Sequence, residues 1–276
     1  MSTNPHPLDR ALALAPTGAV GHYRGQTTQD YWNMVGPYGG ITAATLVRAI
    51  MSHPQCLGEP LSLTVNYAAA VGAGEFDIEA RPVRTNRSTQ HWLLTITQPD
   101  ADGDAQVVTT ATAVTAVRRS TWSAEEEAMP VVPAAQELER APVLNGVAWL
   151  QTYDMRFAQG ILPSVWDGSE AESLTRLWVR DEPARPLDFC AIAALADVFF
   201  PRIWLRRAQR TPAGTVSMTV YFHAGSEELA AVGPAHILGQ ARGQEFRNGF
   251  FDQTAQLWSP GGRMLASSHQ VVYYKE

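Results

Sequence analysis

The sequence predicts an α+β fold built twice over: two similar halves, each with one central helix and four antiparallel strands, sharing one continuous sheet. Three observations predict it. The order of elements repeats along the chain. A short match, Ser62-Leu63-Thr64-Val65 with Ser217-Met218-Thr219-Val220, falls at the same place in each half. The second helical run, Phe189 to Phe200, is apolar all round, as suits a helix enclosed by a sheet.

In the first half, Tyr31 to Val35 leads into the turn Gly36-Pro37 and then Tyr38-Gly39-Gly40. From there Ala43, Leu46, Val47 and Ile50 fall at i, i+3, i+4 and i+7, one face of a helix that stops before Pro54. Four strand-like runs follow. Leu61 to Tyr67 and Phe76 to Arg81 alternate apolar with polar residues. Ser88 to Thr97 sets Trp92, Leu94 and Ile96 on one face, and Val107 to Val117 is rich in Val and Thr. Gly72-Ala73-Gly74, Thr85-Asn86 and Asp100 to Asp104 supply the turns.

Residues 119–145 read as a linker, with Glu125-Glu126-Glu127, Pro130, Pro133 and a short helix near Ala134 to Arg140. The order then repeats. Val147 to Phe157 and Ser173 to Arg180 read as strands, and Leu187 to Phe200 as a buried helix ended by Pro201. Val216 to Phe222, His236 to Phe246, Phe250 to Trp258 and Met264 to Tyr274 read as four more strands, with Asn248-Gly249 and Ser259 to Gly262 as hairpin turns. This is the hotdog plan in tandem, a double hotdog with two long central helices packed on a continuous antiparallel sheet. The expected domains are 1–118 and 146–276, the second carrying the chemistry.

Composition bounds the function. The chain has 276 residues, 45% hydrophobic, with a net charge of −6, which argues against a nucleic-acid partner. Arg202 and Arg206-Arg207 are too few for a polybasic tract and read as a solvated helix end. Two cysteines, Cys56 and Cys190, make no disulfide framework and no metal-ligand spacing. The N-terminal MSTNPHPLDRALALAP lacks the basic and apolar regions of a secretion signal, and no run approaches the ~20 apolar residues of a membrane span. A cytoplasmic location is expected. Neither a Ser nucleophile elbow nor a phosphate-binding glycine loop occurs.

One residue stands out. Asp197 is the only polar side chain between Phe189 and Phe200. A carboxylate among apolar side chains is costly unless hydrogen-bonded or protonated, and burial raises its pKa. Such a group is a candidate for catalysis. The competing reading sets Asp197 at the helix end, facing solvent or capping a loop.

The element order, the Ala/Leu-rich helix with an Asp before aromatics, the strand ending Tyr221-Phe222-His223, and Leu265-Ala266-Ser267-Ser268-His269-Gln270 resemble the acyl-CoA thioesterase II family. The resemblance runs from about Gly21 to Tyr274. It implies a double hotdog that hydrolyses acyl-CoA thioesters in fatty acid metabolism, without metal or organic cofactor, as a homo-oligomer. It also implies that Asp197, Thr215 and Gln270 jointly bind and activate the attacking water. Ser217 competes for the hydroxyl role, since strand alternation puts it on the same face as Thr215. Oxyanion donors are expected from the start of the second helix, Asp188 to Ala191. The first half lacks this set: its helix has no acid, Pro60 stands opposite Thr215 in the repeat, and Thr110 to Val117 holds no Gln. Tyr38-Gly39-Gly40 could receive an anionic or carbonyl group at a helix N-terminus, or be a packing turn. His223 and His269 border the expected site, and Phe199 and Trp204 are candidates to line an acyl tunnel. Two rivals are an enoyl-thioester hydratase or dehydratase, which would need a His on the second helix, and a non-catalytic acyl-thioester-binding protein.

Overall fold

A computed structural model describes residues 5–143 and 146–276; the first four residues and the last two of the expected linker lie outside the described residues. In the first half the strands are β1 (Ala15–Pro16), β2 (His22–Gln26), β3 (Glu59–Tyr67), β4 (Glu75–Thr85), β5 (Thr89–Pro99) and β6 (Ala105–Ala116). In the second they are β7 (Tyr153–Gln159), β8 (Thr175–Asp181), β9 (Ala213–Phe222), β10 (Ile237–Arg242), β11 (Phe246–Arg247), β12 (Phe250–Trp258) and β13 (Met264–Tyr274). The helices are α1 (Pro7–Ala11), α2 (Gly39–Met51), α3 (Phe189–Leu195), α4 (Arg202–Arg207) and α5 (Ser226–Val232).

Among the described residues the strands form one sheet in the order β1-β2-β4-β5-β6-β3-β9-β13-β12-β10-β8-β7, with β11 paired to β12. The two halves meet at β3 and β9. There Thr64 pairs with Thr219, the residue that matches it in the repeat, and their hydroxyls hydrogen-bond at 2.9 Å. Ser62 pairs with Tyr221 and Asn66 with Ser217, symmetrically about that point. The four-residue match therefore marks a pseudo-two-fold axis. The double-hotdog architecture predicted from the sequence is the one observed.

Both central helices lie against one face of the sheet and against each other. Ala43, Leu46, Ala49, Ile192, Ala193 and Leu195 are almost wholly buried in the same core as Leu63, Val65, Met218 and Val220. The apolar stretch near the N-terminus joins this core through Leu8, Ala11 and Leu12. Among the described residues no helix is long and apolar enough to cross a membrane. Cys56 and Cys190 are both free.

Three expectations are corrected. The second helix is not long: it ends at Leu195, six residues before Pro201. The Ala196 carbonyl, which a continuing helix would give to residue 200, accepts from the Ser268 hydroxyl at 3.3 Å, and Pro201 has no N–H for the next carbonyl. Second, residues Ala148–Thr152 form a 3-10 helix before β7. Thr152 bonds its own segment at the Trp149 carbonyl (2.8 Å), and such local bonds compete with strand pairing. Third, the run from His236 breaks into β10 and the short β11 at Gly243, where Asp252 takes the amides of Gln244 and Glu245. Asn248 and Gly249 then turn with φ of 55° and 77°, as a type I′ hairpin requires.

Candidate active site

Asp197 lies in the turn that follows α3, its amide bonded to the Ala194 carbonyl at 3.1 Å. The Ser268–Ala196 bond pins this turn to β13. The residue keeps some exposure, but its carboxyl sits deep among protein atoms. Gln270, buried on the inner face of β13, donates its amide to Asp197 Oδ1 at 2.8 Å. Thr215, on β9, donates its hydroxyl to Gln270 Oε1 at 3.3 Å. The structure thus brings Asp197, Thr215 and Gln270 into one hydrogen-bonded row across three elements. Burial pushes the Asp197 carboxyl up to about 7, while the Gln270 amide and the Gly40 backbone N–H pull it down.

Thr215 and Ser217 do not share a face, contrary to the strand-alternation reading. On β13, Val271 pairs with Ser217 and Val272 with Thr215, so Val216 is an extra residue, a β-bulge. The bulge shifts the alternation by one. Thr215 goes with buried Val272 and Gln270, whereas Ser217 goes with exposed Val271 on the outer face. The bulge recurs at Leu61 in the first half, where Pro60 pairs with Thr115 and Ser62 with Val114.

The carboxyl faces the first half. A Cβ built on Gly39 would lie 2.7 Å from Asp197 Oδ2, and one on Gly40 would lie 2.5 Å from the Ala194 carbonyl. Glycines therefore let the start of α2 approach the end of α3. That start has no side-chain cap of its own, since Tyr38 at the N-cap makes no capping bond. The positive end of the α2 dipole lies beside the carboxyl, which accepts the Gly40 backbone N–H. Tyr38 instead stacks on Trp149 at 4.7 Å and bonds the Tyr153 hydroxyl and the Ala194 carbonyl, which fixes the helix entry.

The start of α3 is not available for the oxyanion role expected of it. Asp188 caps it, accepting from the Ala191 amide at 2.8 Å, and this end of the helix is the one far from Asp197. The helix start that lies beside Asp197 is that of α2, at Gly39-Gly40. Sequence reasoning also missed Tyr67. Its hydroxyl donates to the Gly39 carbonyl at 2.9 Å, and a Cβ on Gly39 would stand 3.2 Å from the same oxygen. Its signal was available: Tyr67 continues the inward set Leu63 and Val65 at the end of β3, yet ends in a hydroxyl.

The matching place in the first half is apolar. Counting nine residues on from each N-cap, Val47 stands where Asp197 does. Pro60 stands for Thr215 and Ala113 for Gln270, by the registers Pro60–Thr115 and Leu63–Ala113. Other candidates fall elsewhere. His223 contacts the Ser267 hydroxyl at 2.9 Å, and His269 contacts Asp252 at 3.2 Å; neither contact involves the Asp197 row. Trp204 packs with Ile203, Phe251 and Val272, and Phe199 against Gly239 and Arg202. Among the described residues no three His, Cys, Asp or Glu side chains converge as a metal site requires.

Residues 125–274 match the family model of the acyl-CoA thioesterase C-terminal domain, and residues 28–116 that of the acyl-CoA thioesterase N-terminal domain. No match was found among curated proteins. Among solved structures, a conserved protein of unknown function with a hot dog fold from Alicyclobacillus acidocaldarius is 45% identical, with TM-score 0.91 over 99% of both chains. An acyl-CoA thioesterase II from Mycobacterium marinum shares the fold at 16% identity, with TM-score 0.72 over 97% of this chain and 98% of that one. The dehydratase domain of RzxB from Pseudomonas fluorescens does so at 12% identity, with TM-score 0.58 over 98% and 99%.

Proposed function

The chain belongs to the acyl-CoA thioesterase family, and on that premise we propose that it hydrolyses acyl-CoA to the free acid and CoA, with Asp197 as general base. The observation that carries this reading is the hydrogen-bonded row Asp197–Gln270–Thr215 at the glycine-rich start of α2. A carboxyl held near pH 7 is matched to taking a proton from water and giving it back.

In this reading a water between Asp197 and Thr215 attacks the thioester carbonyl carbon and passes a proton to the Asp197 carboxylate. Gln270 donates to one carboxylate oxygen and fixes the Thr215 hydroxyl by accepting from it. Positioning of this kind is a large part of a hydrolytic barrier. The positive end of the α2 dipole stabilises the developing oxyanion. The tetrahedral intermediate collapses with cleavage of the C–S bond, and protonated Asp197 returns its proton to the departing thiolate. The dehydratase alternative needs a histidine beside the acid, and neither His223 nor His269 supplies one. The first half contributes helix α2 and Tyr67, whose hydroxyl holds the Gly39 carbonyl beside Asp197.

The test is a panel of acyl-CoAs of differing length and branching, followed by thiol release. Release from at least one member is expected, and no release from any would overturn the reading. The bulge gives a second, internal test. Thr215→Val should lower kcat/KM about tenfold, the worth of one positioning hydrogen bond. Ser217→Ala, on the outer face, should leave it within about twofold of the parent. The reverse order of effects would reassign the hydroxyl.

A further inference from the structure

We propose that Arg210 and Lys275, with Trp166 beneath Arg210, bind the phosphorylated nucleotide end of the CoA substrate. The proposal rests on the acyl-CoA reading above and gives that substrate its second anchor.

The argument starts from charge. The chain carries a net −6 and one lysine, Lys275. Most cations at this end of the molecule are neutralised: Arg206 pairs with Glu170 at 2.9 Å, and Arg207 pairs with Glu276. Arg247 pairs with Glu245 at 2.7 Å, and Arg202 is buried, bonded to the Thr175 hydroxyl at 2.7 Å. Among the described residues Arg210 and Lys275 make no ion pair, and both are exposed. They are neighbours in space, because the Lys275 amide bonds the Pro212 carbonyl at 3.0 Å, two residues from Arg210.

Arg210 is also held in place. Its guanidinium lies 4.7 Å from the centre of the Trp166 ring, and Trp166 packs edge-on against Trp204 of α4. A guanidinium held over an indole face gives up less freedom when its N–H fork is engaged. Such a fork recognises phosphate bidentately. The acids nearby are Asp167, Glu170 and Glu276, and two of them are already engaged by Arg206 and Arg207.

Position then selects the ligand. Arg210 lies five residues before Thr215 at the start of β9, and Lys275 five residues after Gln270 at the end of β13. Each is at most about 18 Å along an extended chain from the hydrogen-bonded row at Asp197. A pantetheine arm spans that separation between its sulfur and its pyrophosphate. The CoA nucleotide carries clustered phosphates, the groups that a free cation pair suits.

The experiment compares acyl-CoA with the acyl-pantetheine thioester of the same acid, which lacks the nucleotide. In Arg210→Glu and in Lys275→Glu, the ratio of kcat/KM for acyl-CoA to that for acyl-pantetheine should fall about tenfold or more, through KM. A ratio within twofold of the parent in both variants overturns the proposal. Adenosine 3′,5′-bisphosphate should bind the unaltered protein, quench Trp fluorescence and weaken as ionic strength rises. No binding at low salt would overturn the proposal as well. This arm needs no variant and no turnover. A protein that binds the bisphosphate yet hydrolyses neither thioester would refute the hydrolytic reading and keep this site.

Discussion

Asp197→Asn should lower kcat/KM for acyl-CoA by about a thousandfold, the scale of a lost general base, while making the protein more stable at pH 8. The two effects have one cause. Burial raises the Asp197 carboxyl from 3.8 to about 7 in the folded chain, against the hydrogen bonds from Gln270 and Gly40. Between pH 4 and 7 the unfolded chain has lost this proton and the folded chain retains it. Stability contributed by the group is therefore full below about pH 4 and is lost as pH rises through 7. The loss is at most on the order of 4 kcal/mol for a shift of this size. Asn carries no charge to bury, so the variant's advantage in thermal unfolding should be absent near pH 4, grow as pH rises and reach its full size above pH 7. Asp181, also pushed up to about 7 by burial, acts in both proteins and cancels in the comparison. A variant less stable than the parent at pH 8 would show that the carboxylate is held by more than it costs.

Gly39→Ala should cost about a hundredfold in kcat/KM without destabilising the fold. The new Cβ would stand 2.7 Å from Asp197 Oδ2 and 3.2 Å from the Tyr67 ring and hydroxyl, so the carboxyl must swing away from the start of α2. Displacement of a catalytic group by about an ångström is worth losses of this order. The helix itself should gain. Gly39 has no positive φ, and Gly→Ala at a compatible helical site stabilises by about 0.4–1 kcal/mol. Unchanged activity with raised stability would mean that the carboxyl has room to spare and that its approach to α2 is only a packing contact.

How far the site could be read from the sequence depended on the range of the interactions involved. Asp197 was visible because it interrupts an apolar run, a local contrast. The repeat was visible because Ser62 to Val65 and Ser217 to Val220 match within the same order of elements; that Thr64 meets Thr219 at the axis is seen only in the fold. The bulge at Val216 was not, because nothing in Thr215-Val216-Ser217 breaks the alternation. The clue lay in the other half: Pro60 cannot donate to a ladder, and a proline inside a strand marks an edge or a bulge. Carried through the repeat, it would have separated Thr215 from Ser217. The end of α3 was misplaced because the Ser268 hydroxyl that takes the Ala196 carbonyl is remote in sequence. That the helix start beside Asp197 is the one of α2 was not legible for a similar reason. Asp188 could be seen as a local cap in hindsight, but the approach of Asp197 to Gly39-Gly40 is set by packing between the halves.

The central claim is that the group taking the proton from water is the buried Asp197 carboxyl, and the pH dependence of kcat/KM for the best acyl-CoA reads that group in the free enzyme. A single acid limb with its midpoint near 7 is predicted, absent from whatever activity Asp197→Asn retains. A rate independent of pH from 5 to 8, or a limb that persists unchanged in the variant, would contradict it.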